Sequence, residues 1–142
     1  MDLDSVIIAD YADITGGKLY LMGGGWDTTT VQAVPAQVRM AVAVGVRIGW
    51  EETNRPIPVR ITVVDDDMQE LVRLEAQVNV GRPPNLLPGS TQLAQVAVNL
   101  VVNAQHGGGH AVTVRAGDGA DAVERTLPFR VVVRPQSAPP TS

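Results

Sequence analysis

Apolar and polar residues alternate along most of this chain with a period of two, the signature of half-buried β-strands. The clearest run covers residues 38–48, where Met40, Val42, Val44, Val46 and Ile48 share one face and Ala41, Ala43, Gly45 and Arg47 the other. That second face is small as well as apolar, which predicts that it lies beneath another layer or another subunit. Residues 59–63 and 72–80 alternate in the same way on either side of Asp65-Asp66-Asp67-Met68-Gln69-Glu70 and read as a hairpin, with Arg73, Glu75, Gln77 and Asn79 on its wet face. Residues 94–103 make a further amphipathic strand. Residues 110–116 and 123–133 make a last pair, joined by Gly117-Asp118-Gly119-Ala120-Asp121, with Leu127, Phe129, Val131 and Val133 turned inward.

Toward the N-terminus, residues 6–12 and 19–22 flank Thr15-Gly16-Gly17, a short glycine loop that predicts another hairpin. Gly23, Gly24 and Gly25 then allow positive φ or close backbone approach beside Trp26, which predicts a corner of the core. Residues 27–34 read as a short strand or extended arm ending at Pro35, since proline cannot donate to a ladder. Residues 50–56 read as a connection. Residues 81–92, GRPPNLLPGSTQ, hold too much proline and glycine for regular structure and predict an extended crossover between two sheets, as in Greek-key sandwiches. About eight strands result, or nine, with no long segment of helical spacing and no repeat of fixed period. The expected architecture is an all-β, antiparallel β-sandwich of Greek-key, immunoglobulin-like type, spanning residues 1–134 as one domain, with residues 135–142 a disordered Pro/Ser-rich tail.

Composition narrows this picture. Aromatic residues make up 4% of the 142, so valine and alanine must fill the interior. A net charge of −4, with Lys18 the one lysine against ten arginines, leaves no basic stripe for a phosphate backbone and argues against nucleic acid. Cysteine is absent, which removes disulfides, thiolate metal sites and a cysteine nucleophile. The start, MDLDSVII, lacks the charged and apolar regions of a secretory signal, and the longest apolar runs are broken by Arg39, Arg47, Asn99 and Asn103. A cytoplasmic protein without a membrane partner is expected.

Four constellations could carry chemistry. Asp65, Asp66 and Asp67 with Glu70 offer oxygen ligands to calcium, and a C2-like site would add Asp118 and Asp121 from another loop. They match no EF-hand, and aspartates are common in turns for their own backbone bonds, so a solvated turn is the stronger reading. His106-Gly107-Gly108-Gly109-His110 resembles the oxyanion loop of some esterases, but there is no G-x-S-x-G elbow, and Ser5, Ser90 and Ser137 stand in unsuitable contexts. As a metal pair the two histidines lack a third ligand, and a flexible turn is expected. Gly16-Gly17-Lys18 and Gly23 to Gly25 lead into strands rather than the helix that completes a phosphate site. Asp10 shares the Val6 and Ile8 face, and a carboxylate there needs a partner from Arg39, Arg47 or Lys18. A structural role for it outweighs a catalytic one. No cofactor is expected.

The strings Ala9-Asp10-Tyr11-Ala12, Gly17-Lys18-Leu19, Met22-Gly23-Gly24-Gly25-Trp26-Asp27, Trp50-Glu51-Glu52-Thr53-Asn54-Arg55, Val80-Gly81-Arg82-Pro83-Pro84 and Leu87-Pro88-Gly89-Ser90 together carry a family resemblance. The chain resembles an uncharacterised, mainly actinobacterial family of small single-domain hypothetical proteins, nearly throughout and as far as Phe129, Arg130 and Val131. The resemblance implies no activity and transfers no catalytic residue. One departure is Gly108-Gly109-His110, where the family pattern has glycine followed by an aromatic residue. The leading expectation is a non-catalytic binding or assembly module. It would present Trp26 and Asp27, then Trp50, Glu52, Asn54 and Arg55, then Pro83 and Pro84, to another protein or to itself, as a structural component of a particle that could be phage-derived. The alternative is a small-ligand or calcium-binding domain using Asp65 to Asp67, and an enzyme is a third reading.

Overall fold

The alternating segments become nine strands. A computed structural model of the chain describes residues 1–135, so the expected tail lies outside the described residues apart from Pro135. The strands are β1 (Asp2–Thr15), β2 (Lys18–Gly24), β3 (Thr28–Val31), β4 (Ala36–Gly49), β5 (Ile57–Asp65), β6 (Glu70–Val78), β7 (Thr91–Ala104), β8 (Gly108–Ala116) and β9 (Val123–Val133). They form two facing sheets with the orders β2-β1-β4-β7 and β3-β9-β8-β5-β6.

This is the immunoglobulin-type order. β1, β4 and β7 stand where strands A, B and E stand in such domains, and β5, β6, β8 and β9 where C, C′, F and G stand. The proline-rich segment after β6 does carry the chain from one sheet to the other. The nine strands fall within the eight or nine expected. One difference from expectation follows from the N-terminal third: β3 runs parallel to β9, Thr28 opposite Arg130 through Val31 opposite Val133, so the sandwich is not wholly antiparallel. A second feature concerns β7. Among the described residues no strand takes the place of D beyond it, and it pairs with β4 alone.

The core lies between the sheets and is built mainly of valine, as the scarcity of aromatics requires. Val42, Val44, Val46, Val59, Val63, Val102, Val112 and Val114 are fully buried around Met40, Ile48, Ile61 and Phe129. Burying side chains of this size contributes roughly 1.5–3 kcal/mol each before the cost of ordering the chain.

The small outer face of β4 is covered by the chain's own N-terminal hairpin. β1 pairs with β4 from Asp2 to Ala9 and with β2 from Ala9 to Thr15, so its second half leaves the sheet. It crosses β4 to reach β7, where Asn99 receives a bond from the Ala12 amide at 3.2 Å and donates to the Ala12 carbonyl at 2.8 Å. The asparagine side chain thus supplies the two bonds that a neighbouring strand would. Ala9, Ala12, Ala41 and Ala43 form the buried layer beneath, flanked by Ile7, Leu19, Leu21 and Ala97. Larger residues on β4 would hold the hairpin off the sheet.

That departure also corrects the reading of Asp10. Its carboxylate does not face the core but is exposed, because the strand has already left the β4 register at Ala9. Of the partners proposed for it, Arg47 is bonded to Asp4 at 3.1 Å, while Arg39 and Lys18 are exposed. Asp10 instead sits over Gly23, whose φ of +61° no larger residue adopts easily and whose missing side chain makes room for the carboxylate.

Candidate functional site

Two turns that are far apart in sequence meet at one end of the sandwich. The β5–β6 turn is closed by Asp65, which is 4% exposed. Its Oδ1 accepts the amides of Asp67 and Gln69, each at 2.9 Å, and its backbone accepts the Met68 amide at 3.0 Å. In the ladder Asp65 lies opposite His110 of β8. The β7–β8 turn brings His106 back over it, with His106 Nε2 3.4 Å from Asp65 Oδ2. One ligand atom each from Asp65, Asp67 and His106 falls within 4.8 Å of the others.

The glycine run is more ordered than its composition predicts. β8 begins at Gly108 rather than His110, with Gly108 opposite Val131 and Gly109 opposite Arg130. The Asp66 carboxylate lies over these two glycines, 2.9 Å from where a Cβ on Gly109 would stand. His110 is buried, its ring stacked on Phe129 at a centroid distance of 5.2 Å and 5.8 Å from the ring of His106. Both imidazoles turn Nδ1 to a backbone carbonyl, His106 to Gly107 at 2.9 Å and His110 to Gly108 at 3.0 Å. A carbonyl only accepts, so each Nδ1 carries a proton.

The charges respond to these contacts. Burial opposes ionisation of Asp65, but the amides of Gln69 and Asp67 and the adjacent His106 outweigh it and hold its carboxyl below the usual range. The bond to the Gly107 carbonyl is the largest influence raising His106 above an ordinary histidine; burial opposes it, and Asp65 and Asp66 reinforce it. Asp118 and Asp121 are not part of this cluster. β5 and β8 run side by side from Asp65–His110 to Val59–Ala116, six residues or about 20 Å of strand, and both aspartates follow at the far end. The C2-like set that would add them to the aspartate turn is therefore not assembled.

That far end holds most of the expected contact residues. Trp50 and Glu52 lie in a single 3₁₀ turn after β4, and Glu52 Oε1 accepts the Gly49 amide at 2.9 Å. Asn54 adopts φ +62° and donates its amide to the Val80 carbonyl at 2.8 Å. Arg82 from the crossover lies 3.5 Å above the Trp50 ring and donates to the Trp50 carbonyl at 2.7 Å and Thr53 Oγ1 at 3.1 Å. The connection and the crossover are thus one joined corner, with Arg55, Pro83 and Pro84 exposed on it. Arg82 is the residue that makes the joint, and the sequence reading passed it over.

Trp26 and Asp27 are elsewhere and are largely engaged. Trp26 meets Phe129 edge-on at 6.3 Å, as a corner of the core should, and the Asp27 carbonyl accepts the Arg130 amide at 2.7 Å. The apolar residues that do face outward lie on the hairpin and on β7. Tyr11 and Met22 are cross-strand partners 50% and 67% exposed, with Tyr20 beside them. On β7, Leu93 and Val101 are exposed, and the core-facing Ala94, Val96 and Val98 are only partly buried. No helix among the described residues is long and apolar enough to cross a membrane.

The chain belongs to a family of unknown function, DUF6941, whose model matches residues 4–132. No curated protein matches its sequence.

Proposed function

We propose that this member of the family is a non-catalytic β-sandwich assembly module, and that it associates through the free edge of β7 with β7 of a second copy. The observation that carries the reading is the character of that edge. Fourteen residues, TQLAQVAVNLVVNA, contain no charge, proline or glycine, and they pair with β4 from Ala36–Ala104 to Gly49–Thr91 without a register shift. Edge strands of stable monomers are ordinarily short, charged, bulged or covered; β7 is long, uncharged and regular, and among the described residues no strand pairs with its outer edge.

A second copy is the occupant best matched to it. Antiparallel pairing about a two-fold axis sets the strand against itself, and a strand with no charge brings no like charges together. The sheet would continue as β2-β1-β4-β7-β7-β4-β1-β2 across the axis. The partly buried Ala94, Val96 and Val98 would gain cover along the seam that the missing D strand leaves open. No group in this reading acts on a substrate.

Native mass measured over a range of concentrations tests it. A dimer that Gln95→Glu with Val101→Glu converts to folded monomer supports the reading, because pairing centred on Val98 sets Gln95 of each copy opposite Val101 of the other. A wild-type monomer at high concentration, or a dimer indifferent to both substitutions, removes it.

A further inference from the structure

We propose that Asp65, Asp67 and His106 hold a divalent first-row transition metal ion, zinc being the best match to their donor atoms. This goes beyond the assembly reading and stands whether or not β7 pairs.

The argument starts from His106. Its Nδ1 is protonated and bound to the Gly107 carbonyl, which is how metal-binding histidines are commonly oriented by their surroundings. Its Nε2 is buried, makes no hydrogen bond, and faces the Asp65 carboxylate. In the neutral ring that nitrogen offers a lone pair to another lone pair, an arrangement that a cation between them resolves.

The spacing says which cation. A charge-assisted hydrogen bond from imidazolium to carboxylate closes to about 2.7–2.9 Å, whereas Nε2 and Oδ2 stand 3.4 Å apart. Two ligands about 2.1 Å from one zinc ion at the tetrahedral angle are themselves about 3.4 Å apart. Asp67 supplies the third donor from the same cluster. Asp65 Oδ1 is fully used by the turn amides, so its Oδ2 is the free ligand atom and its position is fixed. One nitrogen and two oxygens suit zinc or its neighbours; calcium prefers six to eight oxygens and is poorly served here. The fourth position is left for water or a small anion.

The test uses the tag-free full chain. Cobalt(II) added to it should produce the visible absorption of a low-coordinate site, and zinc should displace that signal. Zinc at about 100 times its Kd should raise Tm by about 9 °C. His106→Gln should abolish the cobalt spectrum, and Asp67→Asn should weaken binding at least about tenfold. Asp118→Asn with Asp121→Asn, at the opposite end, should leave it unchanged. Asp65 is left intact because it closes the turn, and Asp67→Asn carries the test if His106→Gln fails to fold. A folded wild-type chain that gives neither the spectrum nor the Tm shift overturns the proposal, as does a spectrum that survives both substitutions.

Discussion

β6 and β7 border the same seam between the two sheets, and each pairs with one neighbour, yet they finish the seam in opposite ways. β6 is nine residues long and carries Glu70, Arg73 and Glu75, tied into pairs by Arg73–Glu70 at 2.8 Å and Arg60–Glu75 at 3.0 Å. β7 is fourteen residues long and carries no charge. Surface pairs of this kind contribute little to stability, at most about 1 kcal/mol each. What they supply is solubility of an edge, since a strand that brings charges into a foreign ladder must desolvate them. The contrast teaches that one border of the seam is finished toward water and the other is left able to accept a strand.

The largest effect expected from this contrast is on association. Gln95→Glu with Val101→Glu on β7 should weaken self-association at least about 100-fold, as like charges set opposite each other cost several kcal/mol, while Gln77→Glu with Leu74→Glu on β6 should leave native mass unchanged. Equal effects from the two edges would erase the distinction. Next comes Asn99→Ala, which frees the hairpin from the outward side of β7. It should cost about 2 kcal/mol in a denaturant titration, because the Ala12 amide and carbonyl both lose their partner.

Where β6 hands over to β7, Arg82→Ala should cost about 1.5 kcal/mol by removing the stacking on Trp50 and the bonds to the Trp50 carbonyl and Thr53. Glu52→Gln at the same corner should cost less than about 1 kcal/mol near neutral pH. Its pH dependence has a definite sign. Burial opposes the charge of Glu52, but the Gly49 amide, the amino group of Met1 and Arg55 hold its carboxyl below the ordinary 4.5. A lowered carboxyl stabilises the fold above the unfolded value and loses that contribution as pH falls through the folded one. The Tm difference between wild type and Glu52→Gln should therefore be full at pH 7 and close in acid; a difference that widens in acid would contradict it.

Much of the sandwich was legible because alternation and glycine punctuation are local signals. Residues 38–48 lie within β4 with Met40 to Ile48 inward, and the GRPPNLLPGSTQ segment changes sheets as its composition requires. The candidate metal site was legible only in halves. The aspartate turn and the H-G-G-G-H string were both visible, and both read as plain turns, because the ligands that complete each set stood about 40 residues away in the other. Asp10 was misread for the opposite reason. Period two holds only while a strand stays in one ladder, and β1 changes partners at Ala9.

By itself the sequence determined the strand positions, the valine core, the turns and the crossing of residues 81–92, since each rests on the period and φ preferences of neighbouring residues. Tertiary structure alone decided which turns share an end, which partner β1 keeps beyond Ala9, and that no strand among the described residues pairs with the outer edge of β7. These depend on strand order. A ladder bond or a ligand distance joins residues that no local preference relates, so Asp65 meets His106, and Ala12 meets Asn99, only once the sheets have formed.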